Sequence, residues 1–80
     1  MTAIAQSITY VLTYQDDSET HHTTGEHQYY WLPEREIAQH AQRVANIRQE
    51  RVRYTYRHIG SQCTKCSPDG LHRDYADPVV

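Results

Sequence analysis

Arg51, Arg53 and Arg57 alternate with Val52, Tyr54 and Tyr56. In an extended strand, residues two apart share a face and recur every ~6.5–7 Å, so these guanidinium groups form a row suited to successive phosphates or to a line of carboxylates. Arginine fits either partner, because its planar fork makes paired hydrogen bonds to both kinds of anion. Arg43 and Lys65 widen the same basic surface. The competing role is structural: the wet side of an edge strand, charged against aggregation and balanced within the fold by Asp16, Asp17 or Glu19. Against nucleic acid stands the placement of the tyrosines, which alternate onto the opposite face of this strand, where they cannot stack on bases.

His58, Cys63, Cys66 and His72 form a second constellation, spaced H-x4-C-x2-C-x5-H. A C-x2-C pair on a tight turn presents two thiolates to one tetrahedral zinc, and two imidazoles complete the shell. Such a zinc is structural, since four protein ligands leave no position for an activated water. The alternatives are two free thiols in a loop, ligands drawn from His21, His22 or His27, or a four-thiolate site shared across a dimer. A thioredoxin-type redox role is disfavoured, because Pro68 and Gly70 follow the pair where that motif opens a helix.

His21, His22 and His27 sit in a polar stretch and are read as solvated loop histidines without a role. Tyr29, Tyr30 and Trp31 form the one aromatic cluster. They either staple the start of a helix onto a sheet or, with Tyr30 and Trp31, offer a protein-binding patch. Catalysis finds no foothold: there is no G-x-S-x-G, no H-E-x-x-H, no phosphate-cradling loop, and three glycines with which to shape a pocket. The expectation is a protein that is not an enzyme.

Charge is divided along the chain. Residues 1–34 carry five carboxylates and no Lys or Arg, whereas residues 35–73 carry eight bases against Glu36, Glu50 and Asp69, and the total is −2. A near-neutral chain therefore hides a dipolar one. The acidic stretch Asp16, Asp17 and Glu19 is a candidate contact for a basic channel, the arginines for an acidic patch.

Eighty residues make one small domain that buries about 60 to 65% of the surface of its unfolded chain. With no Phe, one Trp and seven Tyr, tyrosine must supply much of the core, and each buried hydroxyl needs a partner. No apolar run approaches a membrane span, and Met1 to Gln6 lacks the features of a signal peptide, so a cytoplasmic protein is expected.

The elements that position these residues follow from periodicity. Ile8, Tyr10, Leu12 and Tyr14 alternate with Thr9, Val11 and Thr13, which predicts a half-buried strand over 8–14. Gln15 to Ser18 predict a turn, and Glu19 to Thr24 a second strand that Gly25 interrupts, with Gln28 to Leu32 either extending it or leading onward. Pro33, Glu34 and Glu36 mark a helix start, and the stripe Ile37, His40, Ala41, Val44 and Ile47 or Arg48 carries the helix to about Gln49. Alternation returns over 51–59. Residues 61–80 are read as an irregular tail holding the CxxC knuckle. The expected fold is α+β: a ββαβ domain over 1–60, its three-stranded antiparallel sheet covered on one face by the amphipathic helix, with strand three beside strand one.

In size, in the lack of a catalytic motif and in this sheet-and-helix plan, the chain resembles small accessory proteins of phages and mobile elements, anti-CRISPR inhibitors among them. That resemblance implies a non-enzymatic inhibitor that docks through charged surfaces on a host protein or ribonucleoprotein; a monomer or homodimer is expected. The alternative is a zinc-stabilised nucleic-acid-binding domain that sets Arg51, Arg53, Arg57, Arg43 and Lys65 on phosphates.

Overall fold

A computed structural model describes residues 7–29, 31–57 and 70–79. The order is β1 (Thr9–Thr13), β2 (Glu19–Thr23), α1 (Trp31–Arg48), β3 (Val52–Arg57) and β4 (Leu71–Ala76). The strands form one antiparallel sheet in the order β2-β1-β3-β4, with α1 packed against β3 and β4 on one face. The expected α+β class and the pairing of β1 with β3 are both present. The sheet has four strands, however, not three. The tail read as irregular contains β4, which pairs with β3 from Val52↔Ala76 to Arg57↔Leu71. Beyond it the chain stays fastened: Gln42 Nε2 donates to the Asp77 carbonyl (2.7 Å), and the Val79 amide donates to Asn46 Oδ1 (2.8 Å).

The β1–β2 turn follows its side chains. The Asp17 amide donates to the Tyr14 carbonyl (3.0 Å) and the Tyr14 amide to the Ser18 carbonyl (2.9 Å), while Asp17 adopts φ 67°. This is a three-residue hairpin loop that ends in a left-handed residue, a conformation Asp tolerates better than most. Asp16 Oδ1 accepts from both the amide and the hydroxyl of Ser18, which lowers the pKa of its carboxyl. The open end of the hairpin is closed by buried Thr24. Its amide donates to the Ile8 carbonyl and its hydroxyl oxygen accepts from the Ile8 amide, both at 2.9 Å.

Helix α1 begins at Trp31, two residues before the expected start at Pro33. The first turn leaves its amide hydrogens without intrahelical partners in any case, so proline fits at the third position as well as at the first. At the other end Gln49 adopts φ 54° and the Glu50 amide donates to the Ala45 carbonyl (3.3 Å), a Schellman-type stop without the usual glycine. The buried stripe is Pro33, Ile37, Ala41 and Ala45. Ile47, one choice for the core in the sequence pattern, is 75% exposed, and Val44 is only partly buried. Steps of four residues from Pro33 bring small alanines against the sheet, so the helix approaches closely and the stripe turns away from Ile47.

Leu12, Ile37, Ala41, Ala45 and Val52 are fully enclosed, with Tyr10, Tyr14, Tyr54 and Tyr56 nearly so. The Tyr10 hydroxyl pairs with His40 Nδ1 (2.5 Å) and that of Tyr14 with Thr20 Oγ1 (2.7 Å). Among the described residues no helix is long and apolar enough to cross a membrane.

Two substitutions measure these constraints. Gln49→Gly should raise stability by about 0.5–1 kcal/mol in chemical denaturation, since glycine adopts the left-handed region without strain. Thr24→Val should lower it by about 1–3 kcal/mol, because the buried Ile8 amide then loses its acceptor.

Candidate functional site

With α1 on one side, the opposite face of the sheet is the open one, and no described element packs over it. Strand register lays it out in rows. One row runs Glu19, Thr13, Arg53, Tyr75 from β2 to β4, and the next runs His21, Val11, Thr55, Arg73. A third row on the β3–β4 side pairs Arg57 with Leu71. Arg53, Arg57 and Arg73 thus fall on the β3–β4 half of this face, and Glu19 on the β1–β2 half. A depression of about 390 Å³ lies across it, lined by Thr13, Glu19, Arg53, Thr55, Arg73 and Tyr75.

Arg51 and Arg53 share this face as the alternation predicted, but they are differently engaged. Arg51, just before β3, donates to both carboxylate oxygens of Asp77 (2.7 and 3.3 Å), and its guanidinium lies 4.1 Å from the centre of the Tyr75 ring. Arg53 reaches Asp17 at 3.6 Å, an exposed pair that contributes little. Arg57 stands at the far end of the strand beside Gly70, whose φ of 83° favours glycine, and a Cβ there would lie 3.0 Å from Arg57 Nη1.

Other candidates lie elsewhere. Arg43 is exposed on α1, in the layer opposite Arg53. Trp31, at the start of the same helix, is 49% exposed and stacks on Tyr29 with ring centroids 4.8 Å apart. Asp16 and Asp17 occupy the hairpin tip, and Glu19 opens β2. Tyr30, His58, Cys63, Lys65 and Cys66 lie outside the described residues. His72, the fourth zinc candidate, sits on the covered side of β4, where its ring stacks on Tyr56 at 4.9 Å and Nε2 lies 3.9 Å from Asp74. Among the described residues no group of three or more His, Cys, Asp or Glu side chains is placed to hold a metal.

The residues that sequence reasoning missed are Arg73 and Tyr75, because β4 was not recognised. Leu71, Arg73 and Tyr75 share one face of β4 and His72, Asp74 and Ala76 the other, but neither set is consistently apolar, so the sequence carries no period-2 signal there. Sequence reasoning also gave the histidines of residues 21–27 no role, yet two of them are built into the fold. His22 stacks on Tyr10 (5.3 Å) and meets His40 edge-on (4.8 Å). His27 Nε2 lies 2.7 Å from Glu36 Oε1, while the Gly25 amide donates to Glu36 Oε2 (3.2 Å), so the carboxylate ties the β2–α1 connection to the helix. These hydrogen bonds, that from His27 first, hold the Glu36 carboxyl below its usual pKa. Burial, then the nearby His22 and Arg43, push His40 below 6.5. Burial raises the pKa of the Tyr54 and Tyr56 hydroxyls.

No protein-family model, no curated protein and no solved structure is significantly similar to this chain. The class it defines is a small ββαββ domain with one covered and one open sheet face.

The His40 environment makes stability depend on pH. A histidine whose folded-state pKa lies below its unfolded value binds its proton more readily when unfolded, so its contribution is present above about 6.5 and is lost as the pH falls below it. Glu36 has the same sign in the carboxylate range. Thermal unfolding at constant ionic strength should therefore show a falling midpoint from pH 7 to pH 5, and His40→Gln should flatten the slope in that interval.

Proposed function

We propose that this chain is a non-enzymatic binding module that docks the open face of its sheet on an anionic surface of a macromolecular partner. Its mode of action is that of a small phage or mobile-element inhibitor of anti-CRISPR type, seated on a host protein or ribonucleoprotein. One observation carries this: the β3–β4 half of the uncovered face bears a cation in each of three successive rows, Arg53, Arg73 and Arg57. A set of charges fixed on rigid strands steers an oppositely charged partner and sets its orientation, and it does so without a catalytic cleft.

The acidic tip is the alternative contact. Asp17 lies against Arg53 and Asp16 is turned onto Ser18, so both carboxylates already have cis contacts. The zinc-dependent alternative draws no support from His72, whose ring is packed on Tyr56.

Affinity capture tests the docking role with the full chain as bait, in lysate of the organism that carries the gene. Wild-type protein should retain a defined partner, and Arg53→Glu with Arg73→Glu should reduce its recovery at least ten-fold while the far-ultraviolet circular dichroism is unchanged. Retention by that variant, together with loss in Asp16→Asn with Asp17→Asn, would move the contact to the hairpin tip and refute the open-face assignment.

A further inference from the structure

We infer that the open face is a platform for single-stranded nucleic acid, laid along the β3–β4 seam with its phosphates on the arginine rows and a base on Tyr75. This rests on the docking role proposed above for the same face and specifies the chemistry of the partner.

The first support is spacing. Arg53 faces Tyr75, Thr55 faces Arg73, and Arg57 faces Leu71, so each row of the seam contributes one guanidinium, alternately from β3, β4 and β3. Rows on one face of a strand recur every ~6.5–7 Å, a pitch matched to the repeat of an extended phosphate backbone. Backbone pairing sets the Cα positions of these arginines, so the rows are laid out before any ligand arrives and the long side chains adjust to it.

Tyr75 provides the second. The opposite-face tyrosines weighed against nucleic acid in the sequence, but β4 adds an aromatic to the open side. Tyr75 is 51% exposed, and one side of its ring is backed by the Arg51 guanidinium, itself held by two hydrogen bonds to Asp77. A ring braced in this way is a shelf on which a base stacks with little further loss of side-chain freedom. Thr13 and Thr55 floor the depression between the shelf and the cations.

Single-stranded ligand is favoured over duplex by the shape of the face. Duplex readout inserts a helix or a β-ribbon into a groove, and no described element projects from this face to do so. An open sheet face with a braced aromatic and cations alternating between two neighbouring strands suits unpaired bases instead. Glu19 closes one end of the row that holds Arg53 and Tyr75, so the strand is kept to the β3–β4 half.

The test is fluorescence anisotropy of the intact chain with a labelled twelve-nucleotide oligo-U, oligo-dT, the matching duplex and a Glu-rich peptide of similar charge. Single strands should bind best, with log affinity falling against log salt at a slope of about −2, the value for three phosphates on a single strand. Tyr75→Ala should weaken binding about ten-fold, the effect of losing one stacked base. Arg73→Gln should make the salt slope shallower by about 0.7. Glu19→Gln should tighten binding, and the control Arg35→Gln, on the helix layer, should change neither affinity nor slope. Duplex or peptide bound as tightly as the single strands would overturn the inference. So would a salt-insensitive affinity, or a Tyr75→Ala variant that binds like wild type. If no oligonucleotide binds at 50 mM salt while lysate capture still depends on Arg53 and Arg73, the nucleic-acid assignment fails and the docking role stands. If both fail, the open face is not the site.

Discussion

A chain without phenylalanine has to build its core from tyrosine, and most of this architecture answers that constraint. Tyr10, Tyr14, Tyr54 and Tyr56 bring large apolar rings inside, but each also brings a hydroxyl that costs free energy if it loses water and gains nothing. The register lines the rings up across the sheet. His22, Tyr10, Tyr56 and His72 fall in one row spanning all four strands, with His22 stacked on Tyr10 and His72 on Tyr56. His40 on the helix meets the Tyr10 hydroxyl, and Thr20 meets that of Tyr14. Because the tyrosines occupy the space near the sheet, the helix presents alanines to it, and Ala41 and Ala45 bring the two layers together.

Elements with strong periodicity were legible in the sequence. β1 and β3 alternate large apolar or aromatic residues with polar ones, and the helix carries a clear four-residue repeat, so these were found within a residue or two of their ends. The fourth strand was hidden for a physical reason: its inward-facing residues are His72, Asp74 and Ala76, none of which marks a buried face. It is held by pairing with β3 and by aromatic stacking, and both depend on long-range register that no local pattern carries. The candidate site divides in the same way. Arg51, Arg53 and Arg57 lay on a readable strand, whereas Arg73 and Tyr75 came into view only with their partners across the seam.

The charge division along the chain becomes a division across the sheet. The acidic β1–β2 hairpin and the basic β3–β4 pair lie side by side in one sheet, joined along the β1–β3 ladder; near this junction Asp17 lies close to Arg53, and the Gln15 amide donates to Glu50, which also accepts from Arg48. On the open face one strand-crossing row runs from the Glu19 carboxylate to the Arg53 guanidinium, and the next runs from His21 to Arg73. Exposed charges of this kind add little to stability but much to the orientation of an approaching partner.

The β2-β1-β3-β4 order also shapes how the molecule assembles. β1–β2 is a local hairpin, but β1 and β3, the two central strands, meet only after the whole helix has been spanned, as the pairing of Tyr10 with Tyr56 shows. Closing that loop is entropically unfavourable until the contacts it allows have formed, which makes the central seam the slow event in folding. Until it closes, the inner edge of each strand pair carries unsatisfied backbone groups and half of the tyrosine core faces water. A nascent chain in that condition is a template for its own neighbours, and pairing of β1 with β3 is what removes the exposed edges.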